Sequence, residues 1–445
     1  MTALFQVMIL YAVLFIAFNS LGLKRLLLIA TIVSLPLRTT YEFFAGYHMG
    51  WTNGISLSMA DVCILLLALT HMGRRSVAPH QKLHFAKPIL CFILACGLSI
   101  INTDWLRMTT FQIIALSQMA FLYYIVLNRC LIDRDDLGAI HAGLCSSLLL
   151  QGVIGCLQFA SGHNFMLFST GAALGETITV DSQGPVDFIR VFGTLGKPNA
   201  YGSHVAVLLL LCIVTGRLGL ERPWFHRLAL VFGTTGLILS FSRGAWVSTI
   251  VALLAYCWIL LRWKVFSLKK TLATASVMLL LFLPTLPFIS ARLTSDDHNA
   301  AMSRVPLMSI AWNMIKAHPL VGIGGNTYVS VIRDYVPQDY TQGYVDQVHN
   351  LYLLVFAECG IVGLAAILWL FGSILIQSRE CAEYGKDEVV RHLGAAVFVI
   401  AVQMACFAII DMNNHKVAVS TLFLLCALLQ FAMRLEHGDT AEMTI

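Results

Sequence analysis

An all-α fold, a polytopic integral membrane helical bundle of about 12–13 transmembrane helices with two long extracytoplasmic loops, is predicted by three observations. They are the composition, a succession of apolar runs, and an uneven placement of lysine and arginine. Hydrophobic residues make up 58% of the 445 positions and charged residues 12%, with a mean hydropathy of +0.78. A soluble domain carries roughly a quarter charged residues, so this composition excludes one. A bundle of this length is one unit despite its size. The net charge of +5 is modest; it points to asymmetry between loops and excludes nucleic acid as a partner.

Apolar runs lie near 3–19, 24–37, 55–72, 86–101, 110–131, 138–160, 199–216, 227–242, 244–262, 270–290, 348–377, 393–411 and 417–434. The first lacks a basic leader region and leads straight into the next, so it is expected to be a retained helix. Placing the loop 73–87, GRRSVAPHQKLHFAK, in the cytoplasm and alternating from there puts 19 of the 29 Lys+Arg inside, in keeping with the positive-inside rule. The expected organisation is therefore N-terminal spans over 1–160, an outer loop 161–198, central spans over 199–290, a large outer loop 291–347 and C-terminal spans over 348–445. Loops this long without structure of their own usually carry function. The second contains RVPLMSIAWNMIKA (304–317), a predicted amphipathic helix on the membrane surface, with Val305, Met308, Trp312 and Ile315 on one stripe and Ser309, Asn313 and Lys316 opposite. The twelve cysteines fall in apolar runs or short basic loops. With no C-x-x-C and no metal-type Cys/His spacing, they read as small buried apolar residues.

Chemistry-bearing residues gather where spans meet the outer loops. In DQVHNLYLLVFAECGIVG (346–363), Asp346 is the expected N-cap, which puts His349 and Asn350 in the first helical turn. Glu358 follows nine residues on, about 13 Å deeper along the helix. A histidine, an amide and a buried carboxylate on one helix end suit proton transfer; the other reading is that His349 caps a helix and Glu358 pairs with a cation. Arg190, Arg243 and Arg292 stand at or near span ends. A guanidinium there suits a phosphate, or alternatively a structural partner such as Glu358 for Arg243. HPLVGIGGNTY (318–328) fits no nucleotide-binding glycine motif, and its glycines are expected to turn the chain off the surface helix. Tyr328, Tyr335, Tyr340 and Tyr344 offer flat faces to sugar rings or act as interface anchors. Asp296, Asp297 and His298 form the one compact set of metal-type ligands, in a pattern more typical of solvated loop carboxylates.

Four stretches, RVFGTLGKPNAYG (190–202), LSFSRGAW (239–246), the run from Arg304 and Trp312 through HPLVGIGGN (318–326), and VHNLYLLVFAECGIVGL (348–364), resemble in content and order the O-antigen ligase and polysaccharide polymerase superfamily of bacterial envelope glycosyltransferases. The resemblance covers 190–364 and leaves the first half of the chain matched only as a set of spans. It implies an enzyme of the inner membrane, multi-pass, with its active site facing the periplasm, that takes a completed glycan from undecaprenyl diphosphate. The acceptor it implies first is a hydroxyl of lipid A core. The alternatives are a growing polysaccharide, as in an O-antigen or exopolysaccharide polymerase, and a protein side chain, as in an O-linked protein glycosyltransferase. Carried over, His349 becomes the base that activates the acceptor, while Arg190 and Arg243 hold and stabilise the diphosphate. Asn350, Glu358, Arg292, Arg304, Tyr328 and Lys197 are the candidate substrate-binding residues around them. No cofactor and no metal are implied. The competing class is a secondary transporter, against which the charged groups crowd one edge instead of the midplane of paired repeats.

Overall fold

The computed structural model describes residues 22–37, 40–44, 52–71, 83–163, 180–181, 188–218, 222–264, 304–336, 346–411 and 416–437. These are almost wholly helical: α1 Leu23–Ser34, α2 Met59–His71, α3 Ala86–Leu98, α4 Leu106–Cys130, α5 Arg134–Ser161, α6 Pro198–Thr215, α7 Pro223–Leu239, α8 Arg243–Arg262, α9 Arg304–Ala317, α10 Leu351–Tyr384, α11 Glu388–Ile410 and α12 Lys416–His437. Among the described residues seven helices, α4, α5, α6, α8, α10, α11 and α12, are long and apolar enough to cross a membrane. Eleven of the expected runs coincide with helices, while 3–19 and 270–290 lie outside the described residues. Among the described residues, strand structure is confined to two antiparallel pairs, β1 Thr40–Phe43 with β2 Ile55–Ser58, and β3 Val180–Asp181 with β4 Phe188–Ile189.

Helix ends follow from local chemistry. Asp133 and Asp136 form a capping box at the start of α5, and Gly162 ends it in the left-handed conformation at φ 69°. Pro198 and Pro223 open α6 and α7 in the first turn, where a missing N–H costs nothing. Ser242, Asn350 and Asp387 each accept an N–H of the helix they precede. Helix α6 is apolar all round, and 78% of its core window is buried against 39% for α8. It is therefore an interior helix, as is α12 at the same 78%, and it packs on α5, α7, α8 and α11.

Three expectations need correction. Asn350, not Asp346, is the N-cap of α10: its Oδ1 accepts from Leu353 N at 3.0 Å. His349 thus stands just before the helix, free of capping duty. In α9 the packed face is Leu307, Ile310, Ala311, Met314 and Ile315, while Val305, Met308 and Trp312 are exposed. The helix has two apolar faces, one holding it on the protein, and only Ile315 of the expected stripe turns inward.

The third concerns the glycine segment 318–326, which does more than turn the chain. Helix α10 breaks at Gly360 (φ 65°, ψ −169°). At the break, Ile323 N and Gly324 N donate to the carbonyls of Ala357 and Glu358, each at 3.0 Å. Ile361 N and Val362 N donate to Pro319 O and Leu320 O at 2.9 and 3.4 Å. A regular helix would join Ile361 to Ala357 and Val362 to Glu358. The segment therefore takes over both vacated acceptors and supplies both missing ones, as irregular backbone at membrane depth requires. A Cβ on Gly322 would overlap the Glu358 carbonyl, and one on Gly360 would overlap the Leu320 carbonyl.

Candidate functional site

The last turn of α11 is a hub. Its end carbonyls have no helical partner, and side chains from two other elements supply donors: Asn350 Nδ2 to Ile409 O at 3.0 Å, and Arg304 to Ile410 O at 3.4 Å. Asp411 follows, its side chain 10% exposed. One carboxylate oxygen lies 2.8 Å from His349 Nδ1, and the other accepts from Asn199 Nδ2 at 2.7 Å. Asn199 Oδ1 in turn accepts from Arg190 at 3.0 Å. A continuous chain of polar contacts thus links His349, Asp411, Asn199 and Arg190, drawn from the starts of α6 and α10 and the end of α11.

The backbone around Arg190 is held by two buried glutamines of α5. Gln158 Oε1 accepts from Phe192 N and Gly193 N at 3.1 and 2.8 Å while its Nε2 donates to Gly193 O. Gln151 accepts from Thr194 N and donates to its hydroxyl. Val191 N donates to Leu239 O, and Arg190 Nε reaches Ser240 O at 3.4 Å, so the segment lies along the end of α7. The next turn carries Phe241 at φ 47°, a left-handed conformation that costs a non-glycine residue about 1–2 kcal/mol. That turn aims Ser242 as the cap of α8 and makes Arg243 its first residue. A Cβ on Gly244 would meet Ile410 at 2.9 Å, which puts the start of α8 directly against the hub.

The remaining candidates separate. Lys197 is exposed at the N-cap of α6, and Arg304 is half-buried on the hub. Tyr328 is fully buried, its hydroxyl donating to Leu307 O at 2.8 Å, so its ring is packing and not an exposed sugar platform. Burial, and secondarily the nearby Glu358, pushes its phenol up. Glu358 is 4% exposed and takes Tyr328 N at 3.1 Å, with the Asn326 and Thr327 amides beside it. Its partners are thus backbone amides and not Arg243, and it fixes the end of the glycine segment. Arg292, Asp296, Asp297, His298, Tyr340 and Tyr344 lie outside the described residues.

Sequence reasoning missed Asp411, Asn199 and a part-buried ion pair at the start of α12. Asp411 had a signal, a carboxylate at the last position of a span; Asn199 lay unremarked inside a motif. Lys416, the first residue of α12, is ion-paired with fully buried Asp61 of α2, which also accepts from Gln118 at 3.0 Å and Tyr123 at 2.9 Å. Lys416, five residues past Asp411, lines a hollow of mixed polarity with Glu42, Ser56 and Tyr123. Leu351, two residues past His349, lines an apolar hollow with Phe92, Phe371, Met404 and Phe423.

A carboxylate on Nδ1 holds an imidazole in the tautomer whose Nε2 is the basic atom, and it stabilises the imidazolium that forms. Such a base, with an arginine in the same polar chain, can deprotonate a hydroxyl while neutralising an anionic leaving group. Residues 228–368 match the O-antigen ligase family. The match supports membership of the O-antigen ligase and polymerase superfamily, and it spans α8, α9, the glycine segment and the break in α10. His349 and Arg243 fall inside the O-antigen ligase match, while Arg190, Asn199 and Asp411 come from outside it and are brought in by the fold. No curated protein matches the chain.

At the opposite end of the bundle the structure corrects the expectation that no metal-type Cys/His set exists. His141, Cys145 and His226 present ligand atoms all within 4.8 Å of one another. The signal in the sequence was the i, i+4 spacing of His141 and Cys145 on α5.

Proposed function

We propose that the protein is an O-antigen ligase-type glycosyltransferase that moves a glycan from undecaprenyl diphosphate to an acceptor hydroxyl of lipid A core, on the periplasmic side of the bacterial inner membrane. The observation that carries this reading is the polar chain from His349 through Asp411 and Asn199 to Arg190, in a protein of which residues 228–368 match the O-antigen ligase family. His349 Nε2 takes the proton of the acceptor hydroxyl as its oxygen attacks the anomeric carbon. The bond from that carbon to the diphosphate oxygen breaks, and Arg190 and Arg243 receive the negative charge of the departing polyprenyl diphosphate. Asp411 offsets the charge gained by the imidazole. The apolar hollow takes the first isoprene units, and the exposed Val305, Met308 and Trp312 keep α9 at the lipid surface. Arginines at phosphate need no metal for this step.

The test is transfer by purified full-length protein, given lipid-linked glycan and lipid A core, beside deletion of the gene. Loss of long glycan from lipopolysaccharide on deletion, restored by the wild-type chain, is the expected result. Disappearance of a secreted polysaccharide with lipopolysaccharide unchanged would replace the ligase by a polymerase, and counterflow uptake of a small anion in proteoliposomes would replace the enzyme by a transporter.

A further inference from the structure

We propose that His141, Cys145 and His226 form a zinc site that ties α5 and α7 together at the end of the bundle away from His349. Cys145 Sγ lies 3.5 Å from His141 Nε2, 3.7 Å from His226 Nδ1 and 3.8 Å from Cys212 Sγ. Tetrahedral zinc with bonds of about 2.3 Å to sulfur and about 2.05 Å to nitrogen sets ligand atoms about 3.8 Å apart for a sulfur pair and about 3.6 Å for sulfur and nitrogen. The two sulfur–nitrogen spacings around Cys145 match the second of these edges. His141, Cys145 and His226 converge, a water or hydroxide completes the four positions, and Cys212 touches Cys145 from outside the set.

Hydrogen bonding sets His141 up as a ligand. The Thr215 hydroxyl donates its single proton to Leu211 O at 2.6 Å, so toward His141 Nδ1, 2.8 Å away, it can only accept. Nδ1 therefore carries the ring proton, and the lone pair of Nε2 faces Cys145. A ring nitrogen fixed by an outer hydrogen bond is the usual support of a metal-bound histidine. Gly216 leaves room for the second ring, because a Cβ there would overlap His226. His141 and His226 lie stacked at 5.4 Å. His141, Cys145 and Cys212 are buried and His226 is half-buried, which leaves an entry beside its ring. One thiolate and two neutral imidazoles leave Zn2+ with a single positive charge, which a hydroxide in the fourth position would cancel, and the Cys145 thiol proton leaves on binding.

The ion would act on the fold and not on the transfer. Asn199 and Cys212 are both on α6, thirteen residues apart, so the site is about 20 Å along that helix from the polar chain. The test uses full-length protein purified in detergent under reducing conditions, with zinc measured by elemental analysis and Co2+ exchanged in as a spectroscopic probe. About one zinc per chain is expected, together with the visible bands of tetrahedral cobalt, thiolate charge transfer in the near ultraviolet, and a melting temperature that falls on removal of the metal. Cys145→Ser should reduce zinc to background, His226→Ala should speed its loss to a chelator, and Cys156→Ser, on the same helix outside the cluster, should change nothing. Should Cys145→Ser fail to fold, wild type alone decides: reduced protein, its thiols titratable, that takes up no zinc overturns the site and leaves a hydrogen-bonded packing cluster. Zinc retained in Cys145→Ser, or copper found in its place, overturns it as well.

Discussion

At the scale of the residue, the imidazole of His349 and the carboxylate of Asp411 divide one task, and substitution should separate their shares. His349→Ala should leave expression and donor binding nearly intact and lower turnover by roughly 100-fold to 10,000-fold, the usual worth of a general base. Asp411→Asn keeps the shape and the contact with Asn199 yet allows the wrong imidazole tautomer. It should slow turnover by up to about 10⁴-fold, the cost of that exchange in a serine-protease triad, with little change in donor affinity. Normal turnover in a well-folded His349→Ala chain would remove the base assignment. For the arginines, Arg190→Lys and Arg243→Lys retain charge and lose the planar fork. Lost donor binding or turnover at unchanged thermal stability is expected; lost stability with per-molecule activity preserved would make them structural instead. His349 and Arg190 were legible because a polar residue at a span end is costly and therefore conspicuous. Asp411 and Asn199 were not, because what gives them meaning is a hydrogen bond between positions 212 residues apart in the chain.

At the scale of the element, the break in α10 rests on two glycines whose missing side chains are filled by backbone. Gly360→Ala and Gly322→Ala each force a left-handed residue and a clash with a carbonyl. Each should cost about 2–5 kcal/mol, the sum of a left-handed penalty and an overpacking penalty. Melting in detergent should fall clearly for both, whereas Gly372→Ala, where an added Cβ meets nothing within 4 Å, should be neutral. Equal melting of all three would show that the segment is not locked into the helix. The sequence marked 318–328 as a turn because glycines signal only backbone freedom. What the freed backbone bonds to is set by a partner helix, and no local pattern records that. The same limit explains α9, where both faces are apolar and periodicity alone does not say which one meets the protein.

At the scale of the whole molecule, hydropathy made the class of fold plain and eleven of its helices locatable, since in lipid each backbone polar group must be met within the segment. The polar ends of six segments, at Asn199, Ser240, Arg243, His349, Asp411 and Lys416, collect at one end of the bundle because sequential helices alternate in direction. The excess of lysine and arginine predicts that the other end faces the cytoplasm. Cysteines introduced at Ser182 and Ser295 should therefore react with an impermeant maleimide in intact spheroplasts, and labelling only after lysis would invert the topology. The exchange of hydrogen bonds at Gly360 also bears on the order of events. The half-helix 351–359 that carries the site edge and the spanning half 361–384 are joined through a strand of chain almost forty residues upstream, so neither half is complete until that strand has docked. The docked piece should then open only when α10 itself opens. In hydrogen–deuterium exchange, the amides of Ile323, Gly324, Ile361 and Val362 should exchange as one slow cooperative group, and fast exchange at Ile323 and Gly324 beside a protected α10 would show that the strand comes and goes on its own.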